Sequence, residues 1–208
     1  MIEHAIVQQA IPAWARWAAL VWLFVWLPVY CYYWGPTTFL FLCDIAVILA
    51  CVGIFTQNAL LISSQAVSSI VVDTAWTIDI ISTLVFRKHL LGGTEYFFDT
   101  RYPLAVRLIS TFHIALPVVL LLSLRRTGYD SRAFWFQSSI AAVMLVASRI
   151  LSLHKNINFA LEDPFFRRSW GPAPVHLLVI LAPLILGIYL PTHLALMRAF
   201  RPVKSSGT

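Results

Sequence analysis

Long apolar segments alternate with polar connections along this chain. Six segments are mostly apolar and close to the length of about 20 residues that a helix needs to cross a bilayer. They cover approximately residues 13–33, 38–56, 60–86, 104–124, 132–153 and 175–197. Trp and Tyr are frequent near their ends, as is typical of membrane interfaces. The pattern predicts an all-α integral membrane bundle of about six transmembrane helices, with residues 1–208 forming a single polytopic domain.

The connections between these segments differ in length. Residues 87–103 and 154–174 form two long loops, and six crossings would bring both to one side, here called the long-loop face. The connections at the opposite, short-loop face are short. Basic residues are nearly balanced between the faces, but orientation depends mainly on short loops. Arg125 and Arg126 lie in such a loop and favour an orientation with both termini in the cytoplasm.

The composition agrees with a membrane protein and narrows its partners. Only 12% of the residues are charged, about half of the quarter that is usual in soluble domains. The net charge of +6 comes mostly from loops, where basic side chains contact lipid headgroups, which argues against a nucleic-acid partner. No small-residue cleavage site follows the first apolar segment, so we expect the first helix to remain in the protein.

Ionisable side chains inside the predicted spans are the main functional signal. Each costs roughly 3 kcal/mol at the bilayer centre and therefore needs a partner, a cavity or a function. Their depth along the helices places most of them in the leaflet below the two long loops. The candidate residues are Asp44, Asp79, His113, Arg107, Arg149 and the deeper Asp73, with Glu95 and Asn158 expected to close the site from the loops.

His113 is the best candidate for proton transfer, because an imidazole readily exchanges a proton near neutral pH. The catalytic hypothesis combines His113 with Asp44 or Asp79, as its orienting carboxylate or as a second metal ligand. The ligand-binding hypothesis uses Arg107, Arg149, Asp73, Glu95 and Asn158. Asp73 and Asp79 are rotated by about 120° on one helix, so we expect them to face different neighbours. No motif identifies a metal or a cofactor.

Four interpretations of this cluster remain open. In the first, ion pairs hold the helices together, for instance Asp44 with Arg149 and Asp79 with Arg107. In the second, the protein is an intramembrane enzyme, with or without a metal, that acts on a lipid-like molecule. In the third, it is a small transporter or proton relay, which buried Asp and His side chains suit. In the fourth, it is an accessory subunit of a larger membrane complex; a homo-oligomer is compatible with each.

Several short motifs resemble those of a known family. They are Phe41-Leu42-Cys43-Asp44-Ile45-Ala46, Gly93-Thr94-Glu95-Tyr96, Gly128-Tyr129-Asp130, Asn156-Ile157-Asn158 and Leu190-Pro191-Thr192-His193-Leu194. Together they resemble an uncharacterised family of bacterial six-helix proteins labelled only "membrane-associated protein". The resemblance spans nearly the whole chain. It implies a bacterial protein, located in the inner membrane, with one polytopic domain, and it implies no activity, cofactor or catalytic residue.

Overall fold

Helices account for most of the chain in the computed structural model, which describes residues 9–90 and 92–203. The α-helices are α1 (Ala13–Trp34), α2 (Leu42–Thr56), α3 (Ala59–Phe86), α4 (Glu95–Phe98), α5 (Leu104–Ile109), α6 (Phe112–Thr127), α7 (Ala133–Leu151), α8 (Ala173–Pro183) and α9 (Leu190–Ala199). A π-helical segment, Leu184–Tyr189, joins α8 to α9. Two 3₁₀ turns, Pro36–Leu40 and Ile157–Phe159, lie in the connections. Within the described ranges the helices form the all-α bundle that the apolar pattern predicts.

Five helices of the described chain are long and apolar enough to cross a membrane. They are Ala13–Trp34, Ala59–Phe86, Leu104–Thr127, Ala133–Leu151 and Ala173–Ala199. The protein is therefore a multi-pass membrane bundle. The predicted span at 38–56 is shorter than expected, because α2 has 15 residues. It extends about 22 Å, against a hydrocarbon core of about 30 Å. The extended backbone of Phe41 separates α2 from the 3₁₀ turn before it.

Two of the spans contain irregular backbone. The span Leu104–Thr127 is interrupted at Ser110 and Thr111, between α5 and α6. The span Ala173–Ala199 carries the π-helical segment, which Pro183 precedes and Pro191 follows. Proline lacks a backbone N–H, so a change of hydrogen-bond register near it is expected. Such irregular segments are often found where a membrane protein binds or moves something.

The helix α3 is the central element of the bundle, since it packs against α2, α6, α7 and α9. Its buried face carries an unusual number of polar side chains: Ser63, Ser64, Gln65, Ser68, Ser69, Asp73, Asp79 and Ser82. Small side chains allow membrane helices to approach closely. A Cβ atom added at Gly53 of α2 would lie 2.9 Å from Cβ of Leu61 at the start of α3. The lipid-facing surface, by contrast, is apolar and includes Ile81, Val85 and Phe86.

Hydrogen bonds connect the ends of the helices at two opposite faces of the bundle. At the short-loop face, the Ile11 amide donates to Oε1 of Gln57 over 3.0 Å, and the Tyr129 amide donates to the Arg201 carbonyl over 2.8 Å. At the long-loop face, Nζ of Lys155 donates to the Trp34 carbonyl over 3.0 Å. Tyr102 of the first long loop packs on Trp34 at 4.2 Å between ring centres, and the Leu42 amide donates to Oδ1 of Asn158 over 3.0 Å. The two long loops thus share one face, as predicted, and α2 runs from that face to the other.

Candidate functional site

A buried histidine–aspartate pair joins α3 to α6 in the middle of the bundle. Nδ1 of His113 and Oδ1 of Asp73 are 2.7 Å apart, and their side chains are 7% and 1% exposed. The imidazole stacks on Trp76 at 4.6 Å and on Phe112 at 4.1 Å between ring centres. These two rings restrict the orientation of the imidazole. We call His113 and Asp73 the central pair.

The central pair has two polar atoms that lack a partner within residues 9–90 and 92–203. Oδ2 of Asp73 is buried and accepts no hydrogen bond from these residues. Nδ1 of His113 is hydrogen-bonded to Asp73. Nε2 of His113 has no hydrogen-bond partner among the described residues. A carboxylate on Nδ1 favours the tautomer with its proton there, which leaves Nε2 as the basic atom. The geometry thus provides an oriented imidazole that can accept a proton.

Hydroxyl groups from three elements lie on the long-loop side of the central pair. Tyr30 of α1 and Ser110 share a hydrogen bond of 2.7 Å. The Tyr96 hydroxyl, from α4, lies beside Ser110 and Trp76, and burial raises the pKa of Tyr96 above its ordinary value. Phe97 packs edge-on against Trp76 at 5.7 Å. The loop helix α4 therefore covers the central pair from the long-loop face.

Asp44 does not contact His113, contrary to one form of the catalytic hypothesis. It lies in the first turn of α2 and is 3% exposed. Its Oδ2 accepts a hydrogen bond of 2.6 Å from the Thr38 hydroxyl. The Sγ atom of Cys43 lies 3.9 Å from Oδ1. Asp44 thus connects the start of α2 to the 3₁₀ turn that precedes it.

Asp79 holds the first long loop and likewise does not contact His113. Its carboxylate accepts hydrogen bonds from the amides of Leu90 at 2.7 Å and Gly92 at 3.3 Å. The Thr94 hydroxyl also donates to it, and Nδ1 of His89 lies 2.9 Å from Oδ2. Gly92 has φ +80°, a conformation that glycine adopts without steric cost. Asp79 is therefore an anchor for the loop backbone.

The two predicted Asp–Arg ion pairs are not formed. Nη1 of Arg107 donates to the Phe97 carbonyl over 3.2 Å, and Nη1 of Arg149 donates to the Ala160 carbonyl over 3.1 Å. Each arginine thus holds a loop. The physical reason is proximity, because hydroxyl and amide donors close to Asp44 and Asp79 already satisfy these carboxylates. That form of the structural interpretation is wrong.

The two residues expected to close the site from above have other surroundings. Asn158 accepts from the Leu42 amide at 3.0 Å and donates to the Leu40 carbonyl at 2.7 Å and to Oγ of Ser148 at 3.0 Å. It therefore fixes the second long loop to the beginning of α2. Glu95 is exposed at the first turn of α4. The structure thus brings together Asp73 and His113 and leaves the other candidates at separate positions.

A polar layer below the central pair was not predicted. Nε2 of Gln65 donates to Oε1 of Gln137 over 3.3 Å, and Nε2 of Gln137 donates to the Tyr189 hydroxyl over 3.3 Å. Tyr189 ends the π-helical segment and is 1% exposed. Three buried oxygens in this layer, on Gln65, Ser69 and Ser138, have no hydrogen-bond partner in the described part of the chain. Uncharged amides within apolar segments are the sequence signal that could have revealed it.

This polar layer continues the central pair toward the short-loop face. Along α3, Ser69 lies one turn from Asp73 and Gln65 lies a further turn away, about 6 Å in each step. Near the beginning of α3, the Asp130 amide donates to Oγ of Ser63 over 3.0 Å. Buried polar side chains on α3 therefore extend from the central pair to the short-loop face.

The remaining buried histidines have ordinary partners. Nδ1 of His193 lies 2.7 Å from the Tyr129 hydroxyl. Nε2 of His176 lies 3.0 Å from the Phe159 carbonyl, and its Nδ1 accepts from the Trp170 amide. Within the described ranges, no three His, Cys, Asp or Glu side chains converge in a way that could hold a metal ion. The donor set for a metal-dependent version of the catalytic hypothesis is therefore not assembled there.

Comparison with protein-family models, with curated proteins and with solved structures returned no match. The class of the protein accordingly rests on its fold, which is that of an all-α, multi-pass membrane bundle.

Proposed function

We propose that this protein moves protons within the membrane, as a small transporter or proton relay, and that the central pair binds and releases the proton. One observation carries the proposal. A histidine and an aspartate are hydrogen-bonded to each other deep in a bilayer-spanning bundle. Oδ2 of Asp73 and Nε2 of His113 each lack a hydrogen-bond partner among the described residues. Ionisable groups at such depth commonly mark proton pathways in membrane proteins.

The unpartnered oxygen of Asp73 favours this function over helix pairing alone. A buried polar atom without a hydrogen bond costs about 1–3 kcal/mol. A contact that served only to join α3 to α6 would be more stable if both carboxylate oxygens were paired. An atom that receives a proton during a cycle, by contrast, has to be free in one of its states. The free Nε2 of His113 has the same property.

The polar side chains on either side of the central pair support a path. Toward the long-loop face lie the hydroxyls of Ser110, Tyr30 and Tyr96. Toward the short-loop face lie Ser69 and the layer that contains Gln65, Gln137 and Tyr189. Hydroxyl groups both donate and accept hydrogen bonds, so a proton can enter and leave through them. In this proposal the path extends from the central pair toward both faces of the bundle, as a relay requires.

The proposal includes a topology of six crossings. The helix α2 connects the two faces although it is short, and a short span is accommodated by local thinning of the bilayer. Six crossings would place both termini on one side, which the basic short loops assign to the cytoplasm. Membership of the bacterial six-helix family, and hence location in the inner membrane, is part of this proposal.

The central pair also favours a second candidate, an intramembrane enzyme that acts on a lipid-like molecule. A carboxylate on Nδ1 with Nε2 free is the arrangement that a histidine general base requires. Ser110 precedes His113 by three residues and would supply a hydroxyl near the base. This candidate uses the same pair and differs from the relay in needing a bound substrate.

Proton flux into liposomes tests the proposal. The purified protein is reconstituted with a trapped pH-sensitive dye, and a potassium gradient drives protons inward. We expect flux with the natural protein and at least a tenfold loss in Asp73→Asn and His113→Gln. The matched control is Asp44→Asn, which removes an equally buried carboxylate that does not contact His113. Flux equal to that of empty liposomes, or flux unchanged in Asp73→Asn, would refute the relay; hydrolysis of lipid would be measured next.

A further inference from the structure

The second long loop contains an exposed segment of aromatic and basic residues, Phe165–Trp170, here called the aromatic–basic segment. It is tied to the start of the last span. His176 lies in the first turn of α8 and is fully buried, and its Nδ1 accepts from the Trp170 amide over 3.3 Å. Since α8 begins at Ala173, this contact holds the segment at the level where the span meets the membrane surface.

One carboxylate determines the shape of the aromatic–basic segment. Oδ1 of Asp163 accepts from the amides of Phe165 at 2.8 Å and Phe166 at 2.9 Å, and Oδ2 accepts from Nε1 of Trp170 at 3.2 Å. The Arg167 amide also donates to the Asp163 carbonyl over 2.9 Å. The hydrogen bond from the Phe166 amide and those that accompany it lower the pKa of Asp163. The turn is therefore built around a charged carboxylate.

This turn presents two rings and two cations outward. Phe165 is 75% exposed and Phe166 is 67% exposed. The guanidinium of Arg168 lies 3.9 Å from the ring centre of Trp170 and 5.8 Å from that of Phe166. Neither Arg167 nor Arg168 forms a salt bridge with any described residue. In contrast, Arg101 of the other long loop pairs with Asp99 at 2.6 Å.

We propose that the aromatic–basic segment is a binding site for anionic phospholipid headgroups in the leaflet at the long-loop face. Phe165 and Phe166 enter the interfacial layer, which aromatic rings favour. Arg167 and Arg168 bind the anionic headgroup, because a guanidinium matches the geometry of a phosphate. This site is separate from the central pair and is independent of the proposed function.

Lipid retention measured by native mass spectrometry tests this site. The protein is released from detergent in the presence of phosphatidylglycerol and phosphatidylcholine at equal concentrations, and the bound fractions are compared. We expect a preference for phosphatidylglycerol that falls about 25-fold in Arg167→Gln/Arg168→Gln, since a cation held at an anionic headgroup contributes about fivefold. Phe165→Ser/Phe166→Ser, which keeps both charges, should reduce retention of both lipids.

The matched control is Arg87→Gln/Lys88→Gln. This exposed basic pair lies at the same face, just after α3, and it also lacks a salt bridge among the described residues. No aromatic ring of the described residues stacks on either cation, so neither is held at a headgroup. Their removal should therefore change the preference less than threefold. An equal loss in both double variants would overturn the proposal in favour of general surface charge. Displacement of the lipid by inorganic phosphate would overturn it in favour of a free-anion site.

Discussion

Two carboxylates on α3, Asp73 and Asp79, provide the most instructive comparison in this molecule. Both side chains are 1% exposed, and each lies within 3 Å of a histidine nitrogen. They are separated by about 9 Å along the helix. Asp79 accepts from two loop amides and a hydroxyl besides its contact with His89. Among the described residues, the Asp73 carboxylate is hydrogen-bonded to one imidazole, and its second oxygen has no partner.

This difference indicates how a buried carboxylate is used. Several donors from one loop make Asp79 part of the architecture, because its removal leaves those donors without an acceptor. A single rigid partner and an open oxygen leave Asp73 available for a change of protonation. Burial and charge alone do not distinguish the two residues; the number of donors does.

The largest expected effect is the loss of proton flux when Asp73 is substituted. Asp73→Asn keeps the size of the side chain but removes its charge, so we expect proton flux to fall about 100-fold, equivalent to about 2.7 kcal/mol. The melting temperature in detergent should change little, because the natural carboxylate is already partly unsatisfied. The measurements are liposome flux and thermal unfolding on the same preparation. A large loss of stability with intact flux would assign Asp73 a purely architectural role.

The reciprocal change at Asp79 should have the opposite outcome. Asp79→Asn places an amide N–H among loop donors, and we expect a loss of about 2–3 kcal/mol in the free energy of unfolding, the size of a hydrogen bond to a charged group. Chemical unfolding in detergent measures this loss. Variants that remain folded should retain most of the flux. If Asp79→Asn abolished flux at full stability, the distinction between the two carboxylates would be lost.

A smaller loss of proton flux is expected for a substitution in the polar layer below the central pair. Gln65→Leu replaces an amide by an apolar side chain of similar size, next to Gln137. We expect flux to fall about tenfold, equivalent to about 1.4 kcal/mol. The stability should fall only slightly, because the loss of the hydrogen bond to Gln137 is offset by removal of the unpartnered Oε1 of Gln65. Flux that is insensitive to Gln65→Leu would show that the proton leaves by another route.

The smallest effect concerns Asp163, a loop carboxylate that resembles Asp79 in its amide donors but lies at the surface. Its lowered pKa means that the charged form favours the folded turn. That contribution is complete above the ordinary aspartate pKa of about 3.9 and is lost as the pH falls through the lowered value. Amide hydrogen exchange at Phe165 and Phe166, compared with Asp163→Asn, should show the loss only in the natural protein. Equal pH profiles would mean that Asp163 does not hold the turn.

Much of the architecture was predictable from residue order. The apolar segments predicted the membrane class, and the unequal connections predicted two loops on one face, because hydrophobic length and loop length are local properties. The helical period also predicted correctly that Asp73 and Asp79 face different neighbours, since Asp73 contacts α6 and Asp79 contacts a loop. The shortness of α2 was not predicted, because the break at Phe41 lies inside an uninterrupted apolar segment.

Hydrogen-bond partners were decided by the tertiary structure alone. Depth along a helix placed Asp44, Asp79 and Asp73 near His113, but depth does not determine rotation about the helix axis or the choice of neighbouring helix. Opposite charge suggested arginine partners for Asp44 and Asp79. In the structure, Asp44 instead accepts a hydrogen bond from a nearby hydroxyl, and Asp79 accepts one from a loop amide. The sequence by itself therefore determined which side chains enter the membrane, through their hydrophobic surroundings. Only the packing of α3 against α6 decided that Asp73 meets His113, because that contact joins residues distant in the chain.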